Sequence, residues 1–101
     1  MGLKIVAKKR FLNNFKKITA YLKQDFGKSV ADDFNKIVLN KLDLIAVKPN
    51  IGTNTAIKNT KSVLAGKGFQ NRIYYRVEEN KLIILNLKDI RRNPKQNRYH
   101  Q

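Results

Sequence analysis

The stretch NRIYYRVEENKLIILNL, residues 71–87, carries the clearest structural pattern of this chain. In its first part, apolar side chains alternate with cationic and aromatic ones at a period of two, as in a strand with one buried face. A second run, rich in aliphatic and β-branched residues, begins at Lys81. The two runs predict an antiparallel β-hairpin that turns at Glu78-Glu79-Asn80.

The length of the hairpin loop decides which side chains share a face. A three-residue loop, with Asn80 in the left-handed conformation, pairs Val77 with Lys81. A loop one residue shorter or longer would mix the faces. The three-residue register predicts one purely apolar face, made of Ile73, Tyr75, Val77, Ile83, Leu85 and Leu87. It predicts a second, cationic and polar face, made of Arg72, Tyr74, Arg76, Leu82, Ile84 and Asn86.

Composition restricts the classes of protein to consider. The 101 residues predict a single domain, and the formal net charge of +15 predicts a negatively charged partner. Nucleic acid, the ribosome, an anionic membrane and an acidic protein all qualify, and a solubilising surface is the plainer alternative. There is no cysteine, no run of membrane-spanning length and no signal-peptide pattern, so we expect a cytoplasmic protein without disulfides.

Helical and extended patterns fill the rest of the chain. A short apolar run predicts a strand over residues 3–7, which must pair with the later sheet. Apolar residues spaced three and four apart predict a helical hairpin over residues 9–47, interrupted at Gly27. Antiparallel strands are expected within residues 61–87, followed by a basic tail over residues 88–101. The order β-α-α-β-β-β predicts a two-layer α+β fold, with the helical hairpin covering one face of a three-stranded antiparallel sheet.

The functional residues expected from this pattern are cationic. We expect neither a cofactor nor a metal site, because His100 is the only histidine and no phosphate loop is present. Arginine grips phosphate through a planar fork, and tyrosine can stack on an exposed base. A solvated strand face and a disordered basic end are the plainer interpretations. The nucleic-acid-binding residues predicted on this ground are Tyr74, Arg76, Lys88, Arg92, Lys95 and Arg98.

In element order and local sequence, the chain resembles the RelE/ParE family of bacterial toxins, from type II toxin–antitoxin modules. Three segments carry the resemblance: FKKITAYLKQDFGKSVADDF over residues 15–34, the Pro49-x-x-Gly52 that ends the helical region, and the arginine-bearing hairpin. The family implies a growth-inhibiting toxin whose partner is an acidic antitoxin that covers part of its surface.

The RelE branch of that family cleaves messenger RNA in the ribosomal A site. A ribose 2′-oxygen attacks its own phosphate, which requires cations and proton transfer. The resemblance assigns catalytic roles to Arg72, Arg91 and Tyr99. The lysines that this branch carries on the preceding strand would fall near Val63 and Ala65, which departs from its pattern. The nearest substitutes are Lys61 and Lys67, which the resemblance adds to the predicted nucleic-acid-binding residues.

The ParE branch inhibits DNA gyrase and is not known as a nuclease. Its tail carries His, Arg and Asp-Pro at fixed spacing, where this chain has Asp89, Arg91, Asn93 and Pro94. The arginine and the proline agree with that pattern, and the other two residues do not. Three hypotheses therefore stand: a ribosome-dependent endoribonuclease, a gyrase inhibitor, and a basic nucleic-acid-binding module without toxicity.

Overall fold

The computed structural model describes residues 2–66 and 69–89. Two helices and five strands account for most of these residues, and a short 3-10 helix spans Pro49–Ile51. Neither helix has an apolar stretch able to cross a bilayer. The elements are β1 (Lys4–Ala7), α1 (Lys9–Phe26), α2 (Lys28–Val47), β2 (Thr53–Asn54), β3 (Lys61–Gly66), β4 (Phe69–Glu78) and β5 (Lys81–Asp89).

The strands form one mixed sheet in the order β1-β5-β4-β3-β2. Its three long strands are antiparallel, while β1 pairs with β5 in parallel, with Val6 opposite Ile83. At the other edge the two-residue β2 pairs with β3 through Thr53 and Ser62. The predicted α+β order and the pairing of the first strand are confirmed. The predicted three-stranded antiparallel sheet is wrong in its strand count, because the sheet has five strands. β1, which was predicted, joins it in parallel, and β2, which was not predicted, extends the other edge.

The hairpin loop contains two residues, not the predicted three. Glu78 pairs with Lys81, so Val77 does not. Glu79 takes the left-handed conformation, with φ 54°, which was expected of Asn80. The sequence between Leu82 and Leu87 is apolar at every position but one, so its own periodicity could not select the loop length.

A β-bulge in β5 also changes which of its side chains lie on each face of the hairpin. Tyr75 pairs with Ile84 and Tyr74 pairs with Asn86, which leaves Leu85 as the extra residue. Ile83 shares the cationic face with Arg76 instead of lying in the core. The predicted placement of Ile83 and Leu85 inside, and of Leu82 and Ile84 outside, is therefore wrong, and Val77 is 43% exposed. The helix-covered face is made of Ile73, Tyr75, Leu82, Ile84 and Leu87.

The two helices pack on that face because each presents an apolar stripe to it. Phe11 stacks on Phe15 with ring centroids 5.6 Å apart, and Phe15 contacts Phe34 at 5.9 Å. Gly27 joins the helices with a φ of 96°, a backbone conformation that residues other than glycine rarely adopt. In the part of the chain that the structure describes, no helix covers the opposite face of the sheet.

Tyr75 fixes the link between the helices and the sheet. Its fully buried side chain donates a hydrogen bond to the carbonyl oxygen of Pro49 (2.8 Å) and accepts one from the amide of Gly52 (2.9 Å). Burial raises the pKa of Tyr75 above its ordinary value of 10.0, and the bond from Gly52 offsets part of that rise.

Replacing Tyr75 by phenylalanine is expected to make the free energy of unfolding fall less steeply as the pH rises into the alkaline range. A raised pKa in the folded state stabilises the protein below pH 10.0, and this contribution disappears as the pH rises through the folded value. Chemical unfolding at a series of alkaline pH values should show a steeper fall for the wild type than for Tyr75→Phe. Equal slopes would contradict a raised pKa, because lysine titration is common to both proteins.

Candidate nucleic-acid interface

The face of the sheet away from the helices carries a cluster of cations, which we call the open face. Strand pairing places Arg72 beside Lys88 and Glu78 beside Lys81, while Lys4 of β1 lies next to Lys81. Lys4 and Lys81 were not predicted as site residues, because their position follows from the parallel pairing of β1 with β5. The open face comprises Lys4, Arg72, Tyr74, Arg76, Lys81 and Lys88.

Arg72 is held in a defined orientation by β3. Its Nε donates a hydrogen bond to the hydroxyl of Ser62 (3.1 Å), and its Nη2 donates to the carbonyl oxygen of Ser62 (3.4 Å). A guanidinium has five N–H donors, so three remain for a ligand. Ser62 is itself only 5% exposed, which makes it a rigid support for the guanidinium.

Tyr74 and Lys88 form a second unit of the open face. The ammonium of Lys88 lies 5.5 Å from the centroid of the Tyr74 ring, within the range of a cation–π interaction. A ring and a cation arranged in this way suit the two parts of a nucleotide, since the ring can stack on a base while the cation meets a phosphate.

Arg76 is less available than Arg72. Its Nε lies 2.9 Å from Glu78 Oε2 in an ion pair, although the two atoms do not form a hydrogen bond. The two side chains are 35% and 53% exposed, so solvent screens the pair. We therefore expect Arg76 to contribute positive charge to the open face, but not an oriented contact with a ligand.

Among the predicted site residues that the structure describes, Lys61 lies away from the open face. Lys61 pairs with Tyr75 and therefore belongs to the opposite side of the sheet, where its Nζ donates to Asn54 Oδ1 at 2.9 Å. Among the described residues no cluster of histidine, cysteine and carboxylate side chains could hold a metal ion. The predicted residues that lie outside the described ranges are Lys67, Arg91, Arg92, Lys95, Arg98 and Tyr99.

Ser62→Ala is expected to weaken the binding of single-stranded RNA without abolishing it. The substitution removes the hydroxyl acceptor of Arg72 Nε but keeps the carbonyl contact, and one hydrogen bond contributes about 1 kcal/mol, or roughly fivefold. The affinity of the purified protein for a labelled single-stranded RNA should fall by about that factor. Ser29→Ala, at an exposed position of α2, is the matched control. Identical affinities of both variants would show that the support is dispensable.

Both the sequence and the fold of this chain match known toxins. A sequence-family model described as ParE toxin of type II toxin–antitoxin system, parDE, matches residues 5–94. No curated protein gives a significant match to the sequence. The chromosomal ParDE TA system from P. aeruginosa superimposes with a TM-score of 0.76 at 9% identity, covering 86% of this chain and 95% of that chain.

Two further toxin structures have a related fold. YoeB from Staphylococcus aureus, solved as a dimer, gives a TM-score of 0.57 at 16% identity, covering 87% of this chain and 97% of that chain. A copper-bound mutant toxin from Helicobacter pylori gives 0.55 at 23% identity, covering 86% and 93%. Identities this low establish the fold alone, whereas the family match extends over residues 5–94. The chain is therefore a member of the ParE toxin family of type II toxin–antitoxin systems.

Proposed function

We propose that this toxin arrests growth by binding messenger RNA at the ribosome through its open face and cleaving it there. The observation that carries the proposal is the orientation of Arg72, whose two hydrogen bonds to Ser62 leave three donors for a phosphate. Tyr74 and Lys88 lie on the same face and would receive the neighbouring base and phosphate. The unstacked bases of a single strand suit such a face.

In the proposed reaction, the ribose 2′-oxygen forms a bond to the adjacent phosphorus while the bond from phosphorus to the 5′-oxygen breaks. The products are a 2′,3′-cyclic phosphate and a 5′-hydroxyl. Arg72 would stabilise the negative charge of the pentacoordinate phosphorus, the role for which an oriented donor is most effective. Proton transfer from the 2′-hydroxyl and to the 5′-oxygen remains assigned to Tyr99 or a nearby lysine, with Arg91 as a second phosphate contact.

A purified translation system tests this reaction without the complexity of the cell. Ribosomes translating one defined message would be treated with the wild-type toxin or with Arg72→Ala, and new 5′ ends would be mapped by primer extension. We expect ends inside the translated region with the wild type alone. Arg76→Ala, which removes an arginine already paired with Glu78, should retain most of the cleavage. Equal cleavage by wild type and Arg72→Ala would refute the assigned site.

Inhibition of DNA gyrase is the second candidate function. The family match favours it, because the family model describes a ParE toxin and extends past Arg91 as far as Pro94. In this case the purified protein should stop gyrase from supercoiling a relaxed plasmid, and it should leave messages intact. Supercoiling at the normal rate with saturating toxin would remove this candidate.

The family implies an antitoxin partner, and we propose that this antitoxin is acidic. The net charge of +15 would speed association with a negatively charged chain. Both candidate targets are cytoplasmic, so we place the toxin in the cytoplasm. Membership of a toxin family argues against the third hypothesis, a basic binding module without toxicity.

A further inference from the structure

Helix α1 carries a regular array of cations that lies apart from the open face. Basic pairs recur at an interval of seven residues, Lys9-Arg10 and Lys16-Lys17, and Lys23 continues the series. Seven residues make almost two helical turns, so the successive groups share one side of the helix at intervals of about 10.5 Å. All five side chains are exposed. We call this array the α1 basic stripe.

Within the α1 basic stripe, Lys23 lies near enough to the carboxylate of Asp32 on α2 to interact with it electrostatically, although Asp32 is itself paired with Lys28. In residues 2–66 and 69–89, the ion pairs are Lys28–Asp32 and Arg76–Glu78, and neither includes the stripe. The first turn of α1 contains no acidic residue, although Lys9 and Arg10 lie at the end of the helix where the dipole disfavours cations. This arrangement opposes helix stability in the isolated chain, and an anionic partner would relieve it.

Helix α2 has a different surface, which helps to identify the kind of partner. Its three lysines are balanced by three aspartates, and it exposes Leu39, Leu44 and Val47 by 51%, 41% and 62%. Helix α1 has five basic residues and one acidic residue. Helix α1 exposes large apolar side chains to a similar extent, so the two helices differ in charge and not in apolar surface. Because the cores of protein interfaces are depleted in charge, α2 suits a protein partner better. The stripe suits a phosphate backbone.

We infer that the α1 basic stripe is a second nucleic-acid site, which binds the phosphate backbone of double-stranded RNA. A rigid helix holds its cations at regular intervals, and a duplex holds its phosphates in regular rows, so several cations can contact phosphates at once. Single strands are better served by the open face, where Tyr74 can stack on a base. The helices lie on the other side of the sheet from Tyr74, so the toxin can hold two RNA segments at once. This site does not depend on cleavage by the open face.

The test compares two triple variants of equal charge, both built in the full-length Arg72→Ala protein. One neutralises the stripe with Lys9→Gln, Lys16→Gln and Lys23→Gln. The matched control on the second helix and its end carries three substitutions, which are Lys36→Gln, Lys41→Gln and Lys48→Gln. Fluorescence anisotropy of a labelled RNA duplex would give the affinity of each at several salt concentrations. The Arg72→Ala background keeps the outcome independent of the proposed cleavage.

We expect the stripe variant to reduce the slope of log affinity against log salt concentration by about 2 to 3. Each lost phosphate contact removes a little under one unit from that slope. The control should change the slope by less than about one. Equal changes in the two variants would overturn the inference, because only the overall charge would then matter. Tighter, stripe-dependent binding to polyglutamate than to the duplex would also overturn it, and would indicate an acidic protein as the partner.

Discussion

Arg72→Ala is expected to abolish growth arrest while leaving the protein folded and able to bind its antitoxin. The side chain lies outside the core and hydrogen-bonds to Ser62, so its loss removes no core packing. Removing one oriented donor from a charged transition state typically lowers the rate by about 10²–10³. Colony formation under full induction, together with circular dichroism and antitoxin pull-down of the purified variant, measures both parts of the expectation.

Two companion variants separate the shape of Arg72 from its charge. Lys81→Ala removes one cation from the far end of the open face and should remain toxic. Arg72→Lys keeps the charge but loses the planar fork that grips phosphate in two places, so it should be intermediate. Full growth arrest by Arg72→Ala, expressed at the wild-type level, would contradict the central place given to this residue.

Gly52→Ala is expected to destabilise the fold by about 1–3 kcal/mol, the usual range for overpacking. Gly52 has φ −76°, which any residue adopts, so the constraint is space and not backbone conformation. An added Cβ would lie 3.0 Å from the carbonyl oxygen of Ser62 and would also meet the ring and hydroxyl of Tyr75. Urea unfolding monitored by circular dichroism gives the change directly.

A double-mutant cycle shows whether Tyr75 causes that effect. Tyr75→Phe alone should cost about 1–3 kcal/mol, because Pro49 and Gly52 lose their hydrogen-bond partner. In the phenylalanine background the hydroxyl is absent, so Gly52→Ala should cost less than it does in the wild type. Gly2→Ala, at an exposed glycine whose added Cβ would approach nothing closer than 3.3 Å, is the control. Additive costs for the two changes would disprove the proposed contact.

The helical hairpin and the existence of the β-hairpin could be predicted because each has its own periodicity. Apolar residues three and four apart identify α1 and α2, and Gly27 interrupts the pattern where the helices join. The register of β4 against β5 could not be predicted in the same way. β5 is apolar on both sides, since Ile83 is buried on the open face while Leu82 and Ile84 contact the core. Strand pairing and the bulge decide between the faces, and neither leaves a local signal.

The open face could be predicted only in part. Alternation along β4 is enough to place Arg72, Tyr74 and Arg76 on one side, because side chains on a strand point alternately to its two faces. Ser62 could not be recognised as the support of Arg72, since their contact depends on the register of β3 against β4. β2 was missed for a related reason: two residues within a polar loop have no periodicity to detect.

Mapping the 5′ ends of cellular messenger RNA, shortly after the toxin is induced without its antitoxin, tests the central claim most directly. We predict new ends within translated regions for the wild type, and none above background for Arg72→Ala. Growth arrest with intact messages would contradict cleavage at the open face and would favour DNA gyrase as the target.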